Sequence, residues 1–171
     1  MNKVLIILFL VISVGLSKSI QKKVNKEIKE VFNIEQFSFT EVNIESEIAK
    51  TLPSTFGKDN LFKIETKNSF LGYAYISKAF GKVDYFDYLV LLDKDLIILK
   101  TKILVYREDY GGEIGSKRWL KQFIGKSKND ELRYGENIAG ISGATISVQV
   151  MTKAINDLLK SIKILHSKKI L

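Results

Sequence analysis

Leu96-Ile97-Ile98-Leu99-Lys100-Thr101-Lys102-Ile103-Leu104-Val105-Tyr106 is a long run of aliphatic and β-branched residues, typical of a β-strand. Residues 84–92, just before it, are rich in aromatic and aliphatic side chains, and only Asp93-Lys94-Asp95 separates the two runs. A polar break that short fits an antiparallel hairpin and is too short for a crossover connection. The sequence therefore predicts two antiparallel strands here.

Two alternating segments and two helical segments lie upstream of this hairpin. Residues 62–66 and 72–76 alternate polar and apolar side chains, so we predict a meander of about four strands in all. Residues 20–33 repeat apolar side chains at helical spacing, which predicts an amphipathic helix covering the edge of the core. Residues 45–50 predict a short second helix. Pro53 is expected to separate this N-terminal part from the sheet.

Loops and helices follow the strands. Residues 108–114 predict a loop with two adjacent glycines, and Ser116 is a candidate N-cap of a short helix. Residues 126–136 predict a surface loop and residues 138–141 a short strand. From residue 147 onward, a helical stripe predicts a closing helix that faces the core through Val148, Met151, Ile155, Leu158, Leu159 and Ile162. The whole pattern predicts an α+β fold, an antiparallel sheet meander with flanking helices and a C-terminal helix.

The segment before the closing helix, Ser142-Gly143-Ala144-Thr145-Ile146-Ser147, combines small residues with three hydroxyls. A helix N-terminus exposes about four unpaired N–H groups and roughly half a positive charge, which favours phosphate. Gly143 and Ala144 allow a bulky anion to approach the backbone, and Thr145 adds a hydroxyl. Ser142 and Ser147 are expected either to donate hydrogen bonds to the phosphate or to cap the helix.

Residues 140–147 resemble the Ser/Thr-Gly-Ala-Thr-x-Ser/Thr signature of the FMN-binding domain family, which includes flavin-carrying subunits of the sodium-translocating NADH:quinone reductase and the Rnf complex. The resemblance extends over residues 107–114 and 119–126. It implies FMN as cofactor, with its phosphate joined to Thr145 by a phosphoester that a flavin transferase installs. It also implies that Glu108, Gly111 and Gly112 line the edge of the isoalloxazine ring; the alternative for these three is an ordinary glycine turn beside a solvated acid.

Two features depart from the family pattern, the residue at position 139 and the glycine turn, which reads Glu108-Asp109-Tyr110-Gly111-Gly112 in place of the commoner Glu-Thr-Pro-Gly-x-Gly. Ala139 stands where many members have an acid three positions before the motif serine, and Glu136 is out of register with that position.

Four aromatic residues around the loop are expected either to lie near the flavin or to pack in the core, and for Trp119 and Phe123 the core is favoured. Tyr106 and Tyr110 carry the same two alternatives. The alternative to the attachment role of Thr145 is that this residue is an ordinary helix N-cap.

Composition excludes several kinds of site. The chain has no cysteine and one histidine, His166, so iron–sulfur, haem and zinc sites are not expected, and no metal ligand is assigned. A Ser-His-Asp set is not expected near the motif, and no catalytic residue is assigned. The formal charge of +8 arises from dispersed lysines, which indicates a solvated surface and no nucleic-acid partner.

The ends of the chain predict its organisation. Lys3 followed by the apolar run 4–16 predicts a signal peptide over residues 1–19, with an uncleaved anchor as the alternative. An N-terminal helical segment is predicted for residues 20–60, the FMN-binding domain for residues 61–165 and a basic tail for residues 166–171.

Together these features predict an exported electron carrier, periplasmic or in the cell envelope, that is associated with a membrane redox partner and uses FMN bound through Thr145. A flavoenzyme that reduces a small extracytoplasmic acceptor is the first alternative. A cofactor-free envelope binding protein with the same fold is the second. The protein is expected to be a carrier or a subunit of a redox system more than a stand-alone enzyme.

Overall fold

The computed structural model describes residues 15–171, and most of the predicted signal peptide lies outside them. The core of the fold is one antiparallel sheet of five strands in the order β1-β2-β3-β4-β5. The strands are β1 (Ser38–Glu41), β2 (Leu61–Glu65), β3 (Phe70–Phe80), β4 (Tyr85–Asp93) and β5 (Ile98–Val105). The helices are α1 (Lys18–Phe32), α2 (Ser46–Ala49), α3 (Lys117–Leu120) and α4 (Thr145–Ser167), with 3₁₀ turns at Gly112–Gly115 and Lys121–Phe123. The predicted α+β class is confirmed.

The central strand β4 separates two apolar cores. Its side chains alternate between the faces of the sheet, so Tyr88 and Val90 pack in the core shared with α3 and α4. Leu89 and Leu91 pack on the opposite face, beneath Val24 and its neighbours on α1. A strand covered on both faces must be apolar at nearly every position, which explains the continuous hydrophobic run of β4.

The connection between β4 and β5 is the tight polar turn that the sequence predicts. Asp93 Oδ1 accepts hydrogen bonds from the N–H of Asp95 at 2.9 Å and from the N–H of Ile97 at 2.8 Å. Leu96 takes a left-handed conformation, with φ of 65°. The carboxylate therefore satisfies the two backbone donors of the turn and fixes where β5 begins.

β1 is a strand that the sequence analysis did not predict. It pairs with β2 in antiparallel register, from Ser38 opposite Glu65 to Glu41 opposite Phe62. The ring of Phe39 stacks on that of Phe62 with centroids 4.2 Å apart, which attaches the segment before Pro53 to the sheet. A four-residue edge strand with two exposed residues has no pattern strong enough to reveal it.

The predicted strand over residues 138–141 is wrong. Only one isolated bridge, between Tyr134 and Ile138, occurs there. The backbone beyond it is held by side chains, because Trp119 Nε1 donates to the carbonyl of Ala139 at 2.7 Å and the Ala139 N–H donates to Gln122 Oε1 at 2.8 Å. These bonds satisfy the polar groups that a strand ladder would otherwise have paired.

The closing helix α4 has the predicted apolar stripe, with the six residues from Val148 to Ile162 all fully buried. The helix continues to Ser167, so His166 belongs to its last turn, whereas the sequence placed it in a tail. Lys169 is left-handed and the N–H of Ile170 bonds to the carbonyl of Leu165 at 3.0 Å, which ends the helix in a Schellman motif. Within residues 15–171, no helix combines the length and hydropathy needed to cross a membrane.

Candidate functional site

The N-terminus of α4 is open to a ligand. The helix begins at Thr145, and Ala144 occupies the N-cap position without a side-chain hydrogen bond to the first turn. An alanine methyl cannot accept a hydrogen bond, so no side chain of the N-cap residue satisfies the N–H groups of the first turn. Thr145 is therefore not the N-cap, and its exposed side chain lies at the first helical position.

The approach to this helix end is unobstructed. Gly143 has φ of +83°, and a Cβ built on it would meet no atom within 4 Å. The adjacent Ser142 side chain is exposed. A left-handed glycine with open space beside an uncapped helix of 23 residues is the arrangement that a phosphate group requires. The residues at this end of α4 thus fit the phosphate of FMN.

The glycine loop lies directly against this motif. Gly111 is left-handed with φ of +84°, and a Cβ there would be 2.7 Å from the Tyr106 oxygen and 3.2 Å from Ser147 Oγ. The same Cβ would lie 3.7 Å from the Cα of Ala144. Gly112 follows as the first residue of a 3₁₀ turn. The structure therefore brings Gly111 and the start of α4 together, although they are distant in sequence.

Ser147 differs from Ser142 in its surroundings. The sequence left their roles interchangeable, but Ser147 is 3% exposed and its hydroxyl lies 3.0 Å from the Tyr106 hydroxyl. Tyr106 also donates to the carbonyl of Tyr110 at 2.7 Å. Desolvation is the main cause that raises the pKa of Tyr106, so its phenol is neutral at pH 7. Ser147 is thus directed into the fold, and Ser142 lies at the exposed end of the motif.

Glu108 is attached to the β3–β4 hairpin. Its Oε1 accepts from the N–H of Val83 at 2.8 Å and from the N–H of Asp84 at 3.2 Å. A Cβ at Gly81 would be 2.5 Å from the same oxygen, so a side chain there would displace the carboxylate. Desolvation favours the neutral acid, but these backbone N–H groups outweigh it and lower the pKa of Glu108. The carboxylate therefore fixes the hairpin tip beside the glycine loop.

A salt bridge to a buried carboxylate anchors the other side of the loop. Asp87 on β4 is 1% exposed, and its Oδ2 lies 2.6 Å from Nη2 of Arg107. Arg107 also donates to the carbonyl of Tyr85 at 2.9 Å. The hydrogen bond to Asp87 is the main cause that raises the pKa of Arg107. Sequence reasoning missed this pair because a single aspartate within an apolar strand does not reveal its partner.

Several large apolar side chains are exposed around the loop and the helix end. Glu108 joins the tip of the β3–β4 hairpin to the glycine loop, and the start of α4 is the third segment here. We call the exposed apolar residues of these three segments the apolar rim: Phe80, Val83, Tyr85, Tyr110 and Ile146. Val83 is 70% exposed and Tyr110 is 84% exposed. Exposed apolar side chains on segments that adjoin a site are candidates for a binding surface. Tyr110 thus lies on the rim.

Trp119 and Phe123 are core residues. Trp119 is 4% exposed and Phe123 is fully buried, and their rings form an edge-to-face pair with centroids 5.2 Å apart. The favoured core interpretation of this pair is confirmed. Trp119 also positions the segment before the motif through its hydrogen bond to Ala139, whose own side chain is exposed.

A groove of about 580 Å³ lies elsewhere on the molecule, lined by the segment between β1 and β2. Ser54 in its wall donates its N–H to Ser161 Oγ at 2.9 Å. Ser161 is 16 residues along α4 from Thr145, or roughly 24 Å at the rise of an α-helix. None of the residues of the motif or the glycine loop lines this groove. Among residues 15–171, no cluster of three or more candidate ligands for a metal ion occurs.

Comparison with known proteins agrees with the geometry. Residues 81–160 match the model of the FMN-binding domain family. No curated protein matches the chain. The matched range begins at the hairpin tip held by Glu108, includes the glycine loop and the α3 segment, and ends within α4. Residues 81–160 therefore belong to the FMN-binding domain family, which indicates FMN as the cofactor of this protein.

Proposed function

We propose that the protein is an exported electron carrier whose FMN is held through its phosphate at the start of α4. One observation carries the proposal: within the matched domain, α4 begins without a side-chain cap, beside left-handed Gly143 and exposed Thr145. The N–H groups of the first turn and the helix dipole bind the phosphate. Ser142 is a further donor to it, because its side chain is exposed at the same end.

Thr145 forms the covalent link. Its side chain is exposed at the first helical position and is free of the capping role that would occupy its oxygen. The Thr145 Oγ–P bond forms as a pyrophosphate bond breaks in an activated donor, a flavin dinucleotide, and the hydroxyl proton leaves with the departing nucleoside monophosphate. A flavin transferase catalyses this step, and the protein gains the mass of FMN less one water.

The apolar rim is the wall for the isoalloxazine ring. When bound, FMN supplies the redox chemistry, accepting and donating one or two electrons. Val83 and Tyr110 would exclude water from the bound ring, and the loop with Gly111 and Gly112 would let the backbone approach it. Glu108 acts on this surface through the hairpin tip that it holds. No side chain is assigned a catalytic role, and the protein acts as a carrier.

The N-terminal sequence supports export. The apolar run 4–16 directs the chain out of the cytoplasm, and a covalent tether retains a cofactor that cannot be replaced there. The protein exchanges electrons with a membrane redox partner and a further acceptor.

The test is an intact-mass measurement on the full chain co-expressed with a flavin transferase. The wild type is expected to gain FMN less one water, and Thr145→Ala is expected to lose that gain. Thr51→Ala is the matched control, because it removes an exposed threonine hydroxyl outside the site and is expected to keep the added mass. A folded wild type without added mass or yellow colour would refute the carrier proposal. Yellow colour without added mass would refute only the covalent link.

A further inference from the structure

The Tyr106 hydroxyl has more partners than it has protons. It lies 2.7 Å from the carbonyl of Tyr110 and 3.0 Å from Ser147 Oγ. A carbonyl oxygen has no proton, so the single phenol proton must point to Tyr110. The bond between the two hydroxyls then requires that Ser147 donates to Tyr106. Glu108 Oε2, at 3.4 Å, is a more distant acceptor of the same proton.

This assignment commits the hydroxyl proton of Ser147 to the interior. Ser147 is 3% exposed, and its one proton is already used by Tyr106. Of the three motif hydroxyls, those of Ser142 and Thr145 then remain at the exposed end of the helix. Ser142 and Thr145 are therefore the motif hydroxyls that can meet a phosphate.

The same phenol joins two segments of the site. Through the Tyr110 carbonyl it holds the glycine loop, and through Ser147 it holds the first turn of α4. Gly111 passes close to the phenol oxygen without a side chain, so the loop and the helix fit around this one atom. The tyrosine ring itself packs beside Phe86, with centroids 6.0 Å apart, and this contact does not depend on the hydroxyl.

We propose that Tyr106 is a positioning residue for the cofactor, whose hydroxyl holds the glycine loop against the first turn of α4 in the geometry that receives the flavin phosphate. This inference rests on the proposed function, because it assumes that the phosphate binds at this helix end. Tyr106 acts through Ser147 and the loop and does not itself contact the phosphate. Loss of its hydroxyl therefore weakens phosphate recognition more than ring binding.

The experiment compares FMN with riboflavin, which lacks the phosphate, on the full-length apoprotein made without a flavin transferase. Dissociation constants are measured by flavin fluorescence for the wild type and for Tyr106→Phe. Loss of one positioning hydrogen bond is expected to weaken FMN binding about fivefold and riboflavin binding less, so the preference for FMN falls. Ser147→Ala, which removes the other end of the same bond, is expected to reduce the preference in the same way.

Tyr75→Phe is the matched control. Tyr75 donates to the carbonyl of Thr55 at 2.9 Å, so its variant loses a phenol–carbonyl bond of the same kind outside the site. It is expected to lose comparable stability to urea and to keep the wild-type preference for FMN. An unchanged preference in both Tyr106→Phe and Ser147→Ala would overturn the inference while the proposed function stands. A folded wild type that neither binds FMN nor gains its mass beside a flavin transferase would overturn both.

Discussion

Replacing Gly111 by alanine tests the geometry of the loop against the helix. Gly111 is left-handed with φ of +84°, and the new Cβ would lie 2.7 Å from the Tyr106 oxygen. Holding a residue other than glycine in this conformation costs about 1–2 kcal/mol. The phenol must also move away, which weakens its bonds to Tyr110 and Ser147 at about 1 kcal/mol each. We expect Gly111→Ala to lower the free energy of unfolding by about 2–4 kcal/mol.

Gly125→Ala measures the cost of backbone strain without the close contact of the new Cβ. Gly125 has φ of +81°, but a Cβ there would meet nothing within 4 Å. Only the conformational cost applies, so we expect a loss of about 1–2 kcal/mol. Urea unfolding of the apoproteins at pH 7 measures both variants on one scale.

A double variant then identifies the atom responsible. Tyr106→Phe removes the oxygen that the new Cβ would meet, and Ser147 Oγ at 3.2 Å needs to move only slightly. In that background, Gly111→Ala should cost no more than Gly125→Ala does in the wild type. The expected coupling between positions 106 and 111 is about 1–2 kcal/mol. Strictly additive losses would show that the close approach of Gly111 to the phenol does not govern the loop.

Three further predictions concern groups beside the loop and in the core. Arg107→Ala leaves Asp87 buried without its close cation, and we expect the free energy of unfolding in urea to fall by roughly 3 kcal/mol. This is the lower end of the range for breaking a buried ion pair, because Arg107 is partly exposed. The added change Asp87→Asn should restore part of the lost stability. Burial raises the pKa of Tyr88 well above 10.0, so the neutral phenol stabilises the fold below pH 10 and this stability is lost as the pH rises further. The urea concentration at the unfolding midpoint should therefore decrease when the pH is raised from 9 to 11. The decrease should be smaller in Tyr88→Phe. Glu108→Ala frees the N–H of Val83, so amide hydrogen exchange at Val83 should accelerate while exchange in the centre of β4 stays slow. Equal acceleration at both places would contradict a local role of Glu108 at the hairpin tip.

The sequence by itself determined the elements that are stabilised by interactions within one short segment. The hydrophobic runs on either side of Asp93 required a hairpin, because the carboxylate can satisfy the turn donors within four residues of itself. The helical stripe of α4 and the N-cap role of Ser116, whose Oγ accepts from the N–H of Trp119, depend likewise on spacing along one segment. The small residues at 143 and 144 indicated the helix end where an anion can approach.

Only the tertiary structure decided the contacts between distant segments. Ser142 and Ser147 are equivalent in sequence, and Ser147 is directed inward because Tyr106, 41 residues away, lies beside it. The backbone at residue 139 is held by Trp119 of α3 and by Gln122 of the 3₁₀ turn that follows, in place of a predicted strand. The edge strand β1 forms because β2 offers it a partner. Hydrogen bonds of this kind depend on where the sheet brings two segments together, a property of the whole packed core that no local pattern contains.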